Sequence, residues 1–255
     1  MGTVVSFSLQ AAERTTADGA AVPDLAAEAA LERAEAKLRW VDDVFSTWKP
    51  QSPVSRLRRG VQLDLAAPPE VAEVLDLCRK AREVSDGWFD PWSMPGGLDP
   101  TGLVKGWAAE RALDELKNAG VPAALINAGG DIAAYGRPAA GQPWRIGIRH
   151  PLAVDRLLLM VELDGPGAVA TSGTYERGEH LIDPHTGAPA HGLLSATVVG
   201  LDLAFADALA TALFVSGGRL LERISRLAGY HGFTVSGDGV VRATRGLPVA
   251  LKNAA

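Results

Sequence analysis

The chain has 255 residues, 47% hydrophobic and 22% charged, so it carries enough apolar surface for a substantial core without disulfide or metal staples. Its 30 acidic and 25 basic residues give a net charge of −5, and only Arg56, Arg58 and Arg59 cluster, which excludes the basic footprint of a nucleic-acid binder. Cys78 is the only cysteine, so internal disulfides and cysteine-built zinc sites are excluded as well.

The first residues alternate Val5, Phe7 and Leu9 with Ser6 and Ser8, a strand pattern without the charged n-region and long apolar h-region of a signal peptide. No apolar run approaches the roughly 18 residues needed to cross a bilayer. The chain as given is therefore expected to be soluble and cytoplasmic, unless an export segment preceded it. From Pro23 and Asp24 onward, Leu31, Ala34, Leu38, Val41 and Phe45 recur at helical spacing, until Pro50 and Pro53 close the region. A second helix is expected over 69–84, with Val71, Val74, Cys78 and Ala81 on one face; it ends at Asp86 and Gly87. A third runs over 102–120 through Val104, Trp107, Arg111 and Leu116, its terminal glycine fitting a C-cap. A fourth covers 204–215 and a fifth 219–228. Strands are predicted over 61–65, 123–128, 144–150, 156–163, 168–171 and 194–200, with short pieces after Tyr230. Several follow one another without an intervening helix, which predicts an α+β fold: mixed, largely antiparallel sheets with packed helices. No repeat or linker divides the chain, so a single domain over 1–255 is expected, bilobed at most.

Four polar loops end these elements: Asp86-Gly87-Trp88-Phe89-Asp90-Pro91, Asn127-Ala128-Gly129-Gly130-Asp131, Thr171-Ser172-Gly173-Thr174-Tyr175 and Asp183-Pro184-His185-Thr186-Gly187. Gly129 and Gly130 would let bare amides approach a phosphate, or would make a tight turn that needs positive φ; both readings stand. A Walker A lysine motif and G-x-G-x-x-G are both missing, so any nucleotide site has another design. Thr171 and Ser172 place two hydroxyls beside the flexible Gly173. Trp88 and Phe89, flanked by Asp86 and Asp90, offer ring faces beside carboxylates, or anchor the preceding helix. Asp207 and Thr211 are four apart in an apolar helical stretch, so their oxygens share one face. They could hold a hard cation such as magnesium; alternatively, Asp207 caps a helix and Thr211 bonds back to its own backbone. His180, three before Asp183, could be a general base or simply a satisfied polar side chain.

Met1-Gly2-Thr3, Phe45-Ser46-Thr47-Trp48, the segment 86–91, Asp99 to Gly106, Asn127 to Asp131, Ala170 to Tyr175, His180 to Gly187 and Ala206 to Thr211 together resemble, in order, the signatures of the FAD:protein FMN transferases, the ApbE family. The resemblance covers nearly the whole chain. It implies a magnesium-dependent enzyme that splits FAD and transfers FMN to a threonine or serine hydroxyl of an acceptor protein, releasing AMP. The same metal chemistry would serve an FAD pyrophosphatase, and a non-catalytic FAD carrier is the third alternative. By motif, Met1, Trp48, Trp88, Phe89, Asp90, Asp99, Lys105 and Leu181 are similar to the family's FAD contacts. Gly129, Gly130, Asp131, Thr171, Ser172 and Gly173 lie in the adjoining motifs. The resemblance makes Asp207, Thr211 and the carbonyl of Gly102 the metal ligands, and leaves His180 and Asp207 as the catalytic candidates. Pro100 and Thr101 stand where the pattern often has leucine and glycine, and His185 stands where it commonly has arginine. A homodimer is left open, and no nucleic-acid partner or membrane span is expected.

Overall fold

The structure is a computed structural model and describes residues 3–10, 24–64, 67–138, 141–173 and 181–250. Nine strands and six helices are found among them. The strands are β1 (Val5–Gln10), β2 (Ala123–Ala128), β3 (Asp131–Tyr135), β4 (Trp144–His150), β5 (Ala153–Leu163), β6 (Gly167–Gly173), β7 (Leu193–Gly200), β8 (His231–Ser236) and β9 (Val241–Ala243). The helices are α1 (Leu25–Phe45), α2 (Pro53–Arg58), α3 (Pro69–Val84), α4 (Thr101–Asn118), α5 (Leu203–Val215) and α6 (Leu221–Ile224). Seven strands form one sheet in the order β1-β2-β3-β6-β7-β8-β9, and β4 and β5 pair as a separate ribbon. All of these pairings are antiparallel, as the α+β reading expects.

Side-chain alternation divides the large sheet between two cores. Ile126, Ala168, Ala170 and Val198 point into the main core, which the helices close. Val169, Val199 and Phe233 point the other way, where Ile146, Ile148 and Val161 of the β4–β5 ribbon cover them. The sheet is therefore buried on both faces, with helices on one side and a two-stranded ribbon on the other. At the centre of the helical layer is α5, whose Leu203, Leu209, Leu213 and Phe214 are all sealed from water. Such a helix has no solvent face, so a charge within it must serve a site or be neutralised.

Several local expectations hold closely. Asp24 caps α1 by accepting from the Ala27 amide at 3.1 Å. The buried residues of α3 are Val71, Val74, Cys78 and Ala81, and burial pushes the Cys78 thiol up to about 12, which keeps it an inert hydrophobe. Other expectations need correcting. Pro53 opens a helix rather than only closing one: its fixed φ suits the first turn, and Ser52 caps it by accepting from the Ser55 amide at 3.0 Å. No strand forms over 61–64, because that segment leaves α2 through Gly60 at φ +77° and finds no strand partner; Leu63 packs on the core instead. The helix predicted over 219–228 shortens to α6, with Ser225 Oγ donating to the Glu222 carbonyl at its end. Strand β3 was not predicted at all, since glycines bracket its five residues.

Phe214 is wholly buried under the sheet. Phe214→Ala should lower the unfolding free energy by about 3–5 kcal/mol. The expected result in denaturant titration is a lower midpoint at an unchanged slope; a shift within error would show that this layer is not close-packed.

Candidate active site

A cleft of about 760 Å³ opens where the loop after α1, the loop after α3, the start of α4, the β2–β3 turn, the end of β6 and the middle of α5 meet. It is of the size that small-molecule and cofactor sites take. Its aromatic side begins at the end of α3, where Asp86 at φ +57° and Gly87 at φ +80° turn the chain sharply. The turn delivers Trp88 and Phe89 to the cleft wall, with the Phe89 amide donating to Ser85 Oγ at 3.0 Å. Asp90 is buried beside them and accepts from Arg82 Nε at 2.7 Å, the Trp92 amide at 3.0 Å and Ser93 Oγ at 3.1 Å. Its carboxylate is already committed to holding the loop. Trp48 lies at the opposite lip, 92% exposed although it is an indole, so it is available to cover a planar ligand.

Asp99 lies at the entry to α4. Its Oδ1 accepts from the Thr101 amide at 3.1 Å and Thr101 Oγ1 at 2.6 Å, and Oδ2 pairs with Arg58 at 3.3 Å. The Pro100-Thr101 pair that departs from the family pattern thus builds a helix start: Thr101 supplies a hydroxyl that fastens Asp99. Gly102 leaves room for the Phe89 ring, which a Cβ there would meet at 3.3 Å, and Thr211 Oγ1 lies 3.8 Å from that same position.

The polar floor is built by Lys105. Its Nζ contacts Asp131 Oδ2 closely and lies 3.6 Å from Asp207 Oδ2. Asp131 and Asp207 are both buried, and these same two oxygens carry no hydrogen bond. Two carboxylates share one ammonium, which leaves one negative charge out of water. Burial drives the Asp207 carboxyl well above its usual range; Lys105 pulls it down, and Asp131 pushes it up. Asp131 Oδ1 also accepts from the Thr171 amide at 3.0 Å, which ties the end of β6 to this floor. Ser172 Oγ and Thr211 Oγ1 meet at 3.3 Å.

The cap alternative for Asp207 is excluded. The cap of α5 is Asp202, which accepts from the Phe205 amide at 2.8 Å, and Asp207 lies inside the helix. Thr211 turns its hydroxyl to Ser172. A cation fits what remains: an orphaned buried carboxylate oxygen, a hydroxyl one turn away and the backbone of Gly102 nearby. Among the described residues no three His, Cys, Asp or Glu side chains gather around one point. An ion here would depend on oxygens brought by a phosphate ligand, as magnesium commonly does.

The structure brings Trp48, Trp88, Phe89, Asp90, Asp99, Gly102, Lys105, Gly129, Thr171, Ser172, Gly173, Leu181, Asp207 and Thr211 to the cleft. Gly130 is not among its walls. Gly129 at φ +63° and Gly130 at φ +96° form the two-residue hairpin between β2 and β3, and the Gly130 amide is spent on Asn127 Oδ1 at 2.8 Å. The turn reading is correct for both glycines, with Gly129 serving the cleft as well. Asp131 stands behind the wall and acts through Lys105. Met1 and His180 lie outside the described residues. Sequence reasoning missed Arg219, whose guanidinium sits 4.9 Å over the Trp88 ring, and the tilted contact of the His185 ring with that indole, 4.4 Å between centroids. No motif spacing signals either contact, because both depend on how distant loops meet.

The cleft, with an aromatic lip and a buried acidic and basic floor, is thus the candidate site of an α+β protein. The model of the ApbE family matches residues 1–96 and 94–231, and the chain belongs to that family. An FAD:protein FMN transferase of Salmonella typhimurium is 31% identical over 152 residues, which take in 56% of this chain and 43% of that protein. One from Rhodobacter capsulatus is 35% identical over 156 residues, 58% of this chain and 29% of that protein. The chain thus spans less than half the length of these curated relatives. Among solved structures, the flavinyl transferase ApbE of Pseudomonas stutzeri superposes with a TM-score of 0.73 at 26% identity, covering 95% of each chain. The ApbE protein of Thermotoga maritima, at 24% identity and a TM-score of 0.79, shares the fold over 96% of this chain and 94% of that one.

The surplus buried charge has a measurable consequence. Because the folded state holds the Asp207 proton more tightly than the unfolded chain, stability in metal-free buffer should fall as pH rises above the ordinary carboxylate range. Asp207→Asn removes that surplus. In buffer with a chelator it should melt about 2–4 °C or more above the parent at pH 8, the worth of ~1 kcal/mol, with a smaller difference at pH 5. A lower melting temperature at pH 8 would mean that Lys105 already compensates both carboxylates.

Proposed function

We propose that the chain is an FAD:protein FMN transferase that moves FMN from FAD to a threonine or serine hydroxyl of an acceptor protein and releases AMP. The observation that carries this reading is the floor of the cleft. Lys105, held by Asp131, pairs with Asp207 in a cleft of about 760 Å³ that Trp48, Trp88 and Thr211 also line. Trp48 and Trp88 offer ring faces to the isoalloxazine, and Ser172 offers a hydroxyl to the phosphates. In the reaction, the bond from the acceptor oxygen to the FMN phosphorus forms as the bond to the AMP oxygen breaks, and the hydroxyl proton passes to a base. Lys105 holds a positive charge beside the diphosphate, where negative charge grows on the departing AMP.

Asp207, Thr211 and the Gly102 carbonyl would hold magnesium, which supplies charge neutralisation across the diphosphate. The Asp207 carboxyl, destabilised when charged and alone, is stabilised as an anion by such an ion, so metal and substrate would be taken up together. His180 is the proposed base, and Met1 a further contact to FAD. The acceptor, and any location outside the cytoplasm, follow from whatever protein carries the target hydroxyl. Among the described residues no helix is long and apolar enough to cross a membrane.

The test mixes protein, FAD, magnesium and a candidate acceptor, then follows AMP release and acceptor mass. A gain of one FMN with stoichiometric AMP is expected. AMP with an unmodified acceptor, for each acceptor tried, would favour an FAD pyrophosphatase; no AMP under any condition would leave a flavin carrier. Asp207→Ala should lower turnover by at least about 10²-fold. FAD affinity in chelator should change little, because the aromatic lip remains. Magnesium-dependent turnover at the parental rate in that variant would remove Asp207 from the metal.

A further inference from the structure

Glu110 is half-buried in α4, outside the cleft walls, and has no part in the chemistry above. Its Oε1 accepts from the Leu203 amide at 2.6 Å, the first residue of α5. An opening amide of a helix has no partner within the helix, and here a neighbouring helix supplies one. Burial raises the Glu110 carboxyl to about 7; the backbone bond from Leu203 opposes that rise, and the charge of Asp202 adds to it. On the other side of this junction, Tyr230 donates its hydroxyl to Asp202, the cap of α5.

The contact between the two helices has a regular register. Stepping back four residues along α4 from Glu110 reaches Gly106, and a further four reaches Gly102. Stepping forward by the same intervals along α5 from Leu203 reaches Asp207, then Thr211. Glu110 bonds Leu203, Gly106 passes beneath the first turn of α5, and a Cβ on Gly102 would lie 3.8 Å from Thr211 Oγ1. At Gly106 the helices come so near that a Cβ would fall 2.4 Å from the Leu203 carbonyl oxygen and 2.8 Å from the Ala204 nitrogen. The two inner rungs of this ladder contain all three proposed metal ligands.

We propose that Glu110 is a positioning residue that sets the register of α5 against α4, and with it the spacing of Gly102, Asp207 and Thr211 around the cation. This rests on the metal reading under Proposed function. A helix slide of a few tenths of an ångström at the outer rung is carried rigidly along α5, because that helix is sealed in the core and cannot bend locally to absorb it. Residues that orient metal ligands from behind typically change metal affinity 10–100-fold when removed.

The test measures Mn2+ binding by electron paramagnetic resonance in the presence of FAD, FAD binding in chelator by flavin fluorescence, and thermal melting, for the parent, Glu110→Ala, Glu110→Gln and Glu110→Asp. Gln keeps the acceptor and its reach without the charge; Asp keeps the charge but withdraws it by one methylene. Glu110→Ala and Glu110→Asp should bind Mn2+ at least about 10-fold more weakly. FAD affinity in chelator should stay within about twofold, and Glu110→Gln should restore Mn2+ binding to near the parent. If Glu110→Ala fails to fold, the Asp and Gln variants decide the matter. Folded Ala or Asp variants with parental Mn2+ affinity would reduce Glu110 to a stability role and overturn the proposal. Weakening in Gln equal to that in Asp would overturn it too, since charge rather than reach would then matter. A parent that binds no Mn2+ with FAD would instead sink the metal reading on which both rest.

Discussion

Two buried carboxylates around one ammonium organise this molecule's cleft. Asp131, Lys105 and Asp207 come from β3, α4 and α5, so their mutual attraction joins the sheet to the two central helices at the point where the cleft is deepest. The three together carry one negative charge that burial penalises. The bare protein bears that cost because α5 is packed so tightly that Asp207 cannot swing out to water.

Around that floor, the fold separates rigid from adjustable parts. The sheet is covered on both faces and antiparallel throughout, so the ends of β6 and the β2–β3 hairpin are fixed in height. The aromatic lip is assembled from loops: Trp48 follows α1, and Trp88 follows the turn at Asp86 and Gly87. Arg219 and His185 press on Trp88 from different loops and bias its ring orientation. The floor of the cleft is thus held by core elements and its aromatic lip by surface loops.

Much of this was legible from residue order. Helical spacing in 25–45 and 69–84, alternation in 144–150 and the scarcity of helices between later strands led to α+β architecture, because those patterns follow from burying one face of a local element. The resemblance of eight ordered motifs located most of the cleft. What it could not supply was any contact that depends on how elements meet. Gly130 shares a motif with Gly129, yet its amide is consumed in the hairpin. Asp90 shares a motif with Trp88 and Phe89, yet its carboxylate serves Arg82 and the loop. Spacing left Asp207 between a helix cap and a metal ligand, since both put an aspartate on a helix near a threonine.

The sequence by itself determined the long helices and the strands with clear alternation, and which residue types sit in the loops, because periodicity and turn chemistry act within a few residues. Only the tertiary structure decided that α5 begins at Leu203 with Asp202 as its cap, which frees Asp207 from that role. It also decided that Asp131 reaches Lys105 and that α4 and α5 meet rung by rung from Glu110 to Gly102. These facts concern residues up to about a hundred positions apart. They are set by the packing of two helices against one sheet, where a four-residue step along one helix meets a four-residue step along the other.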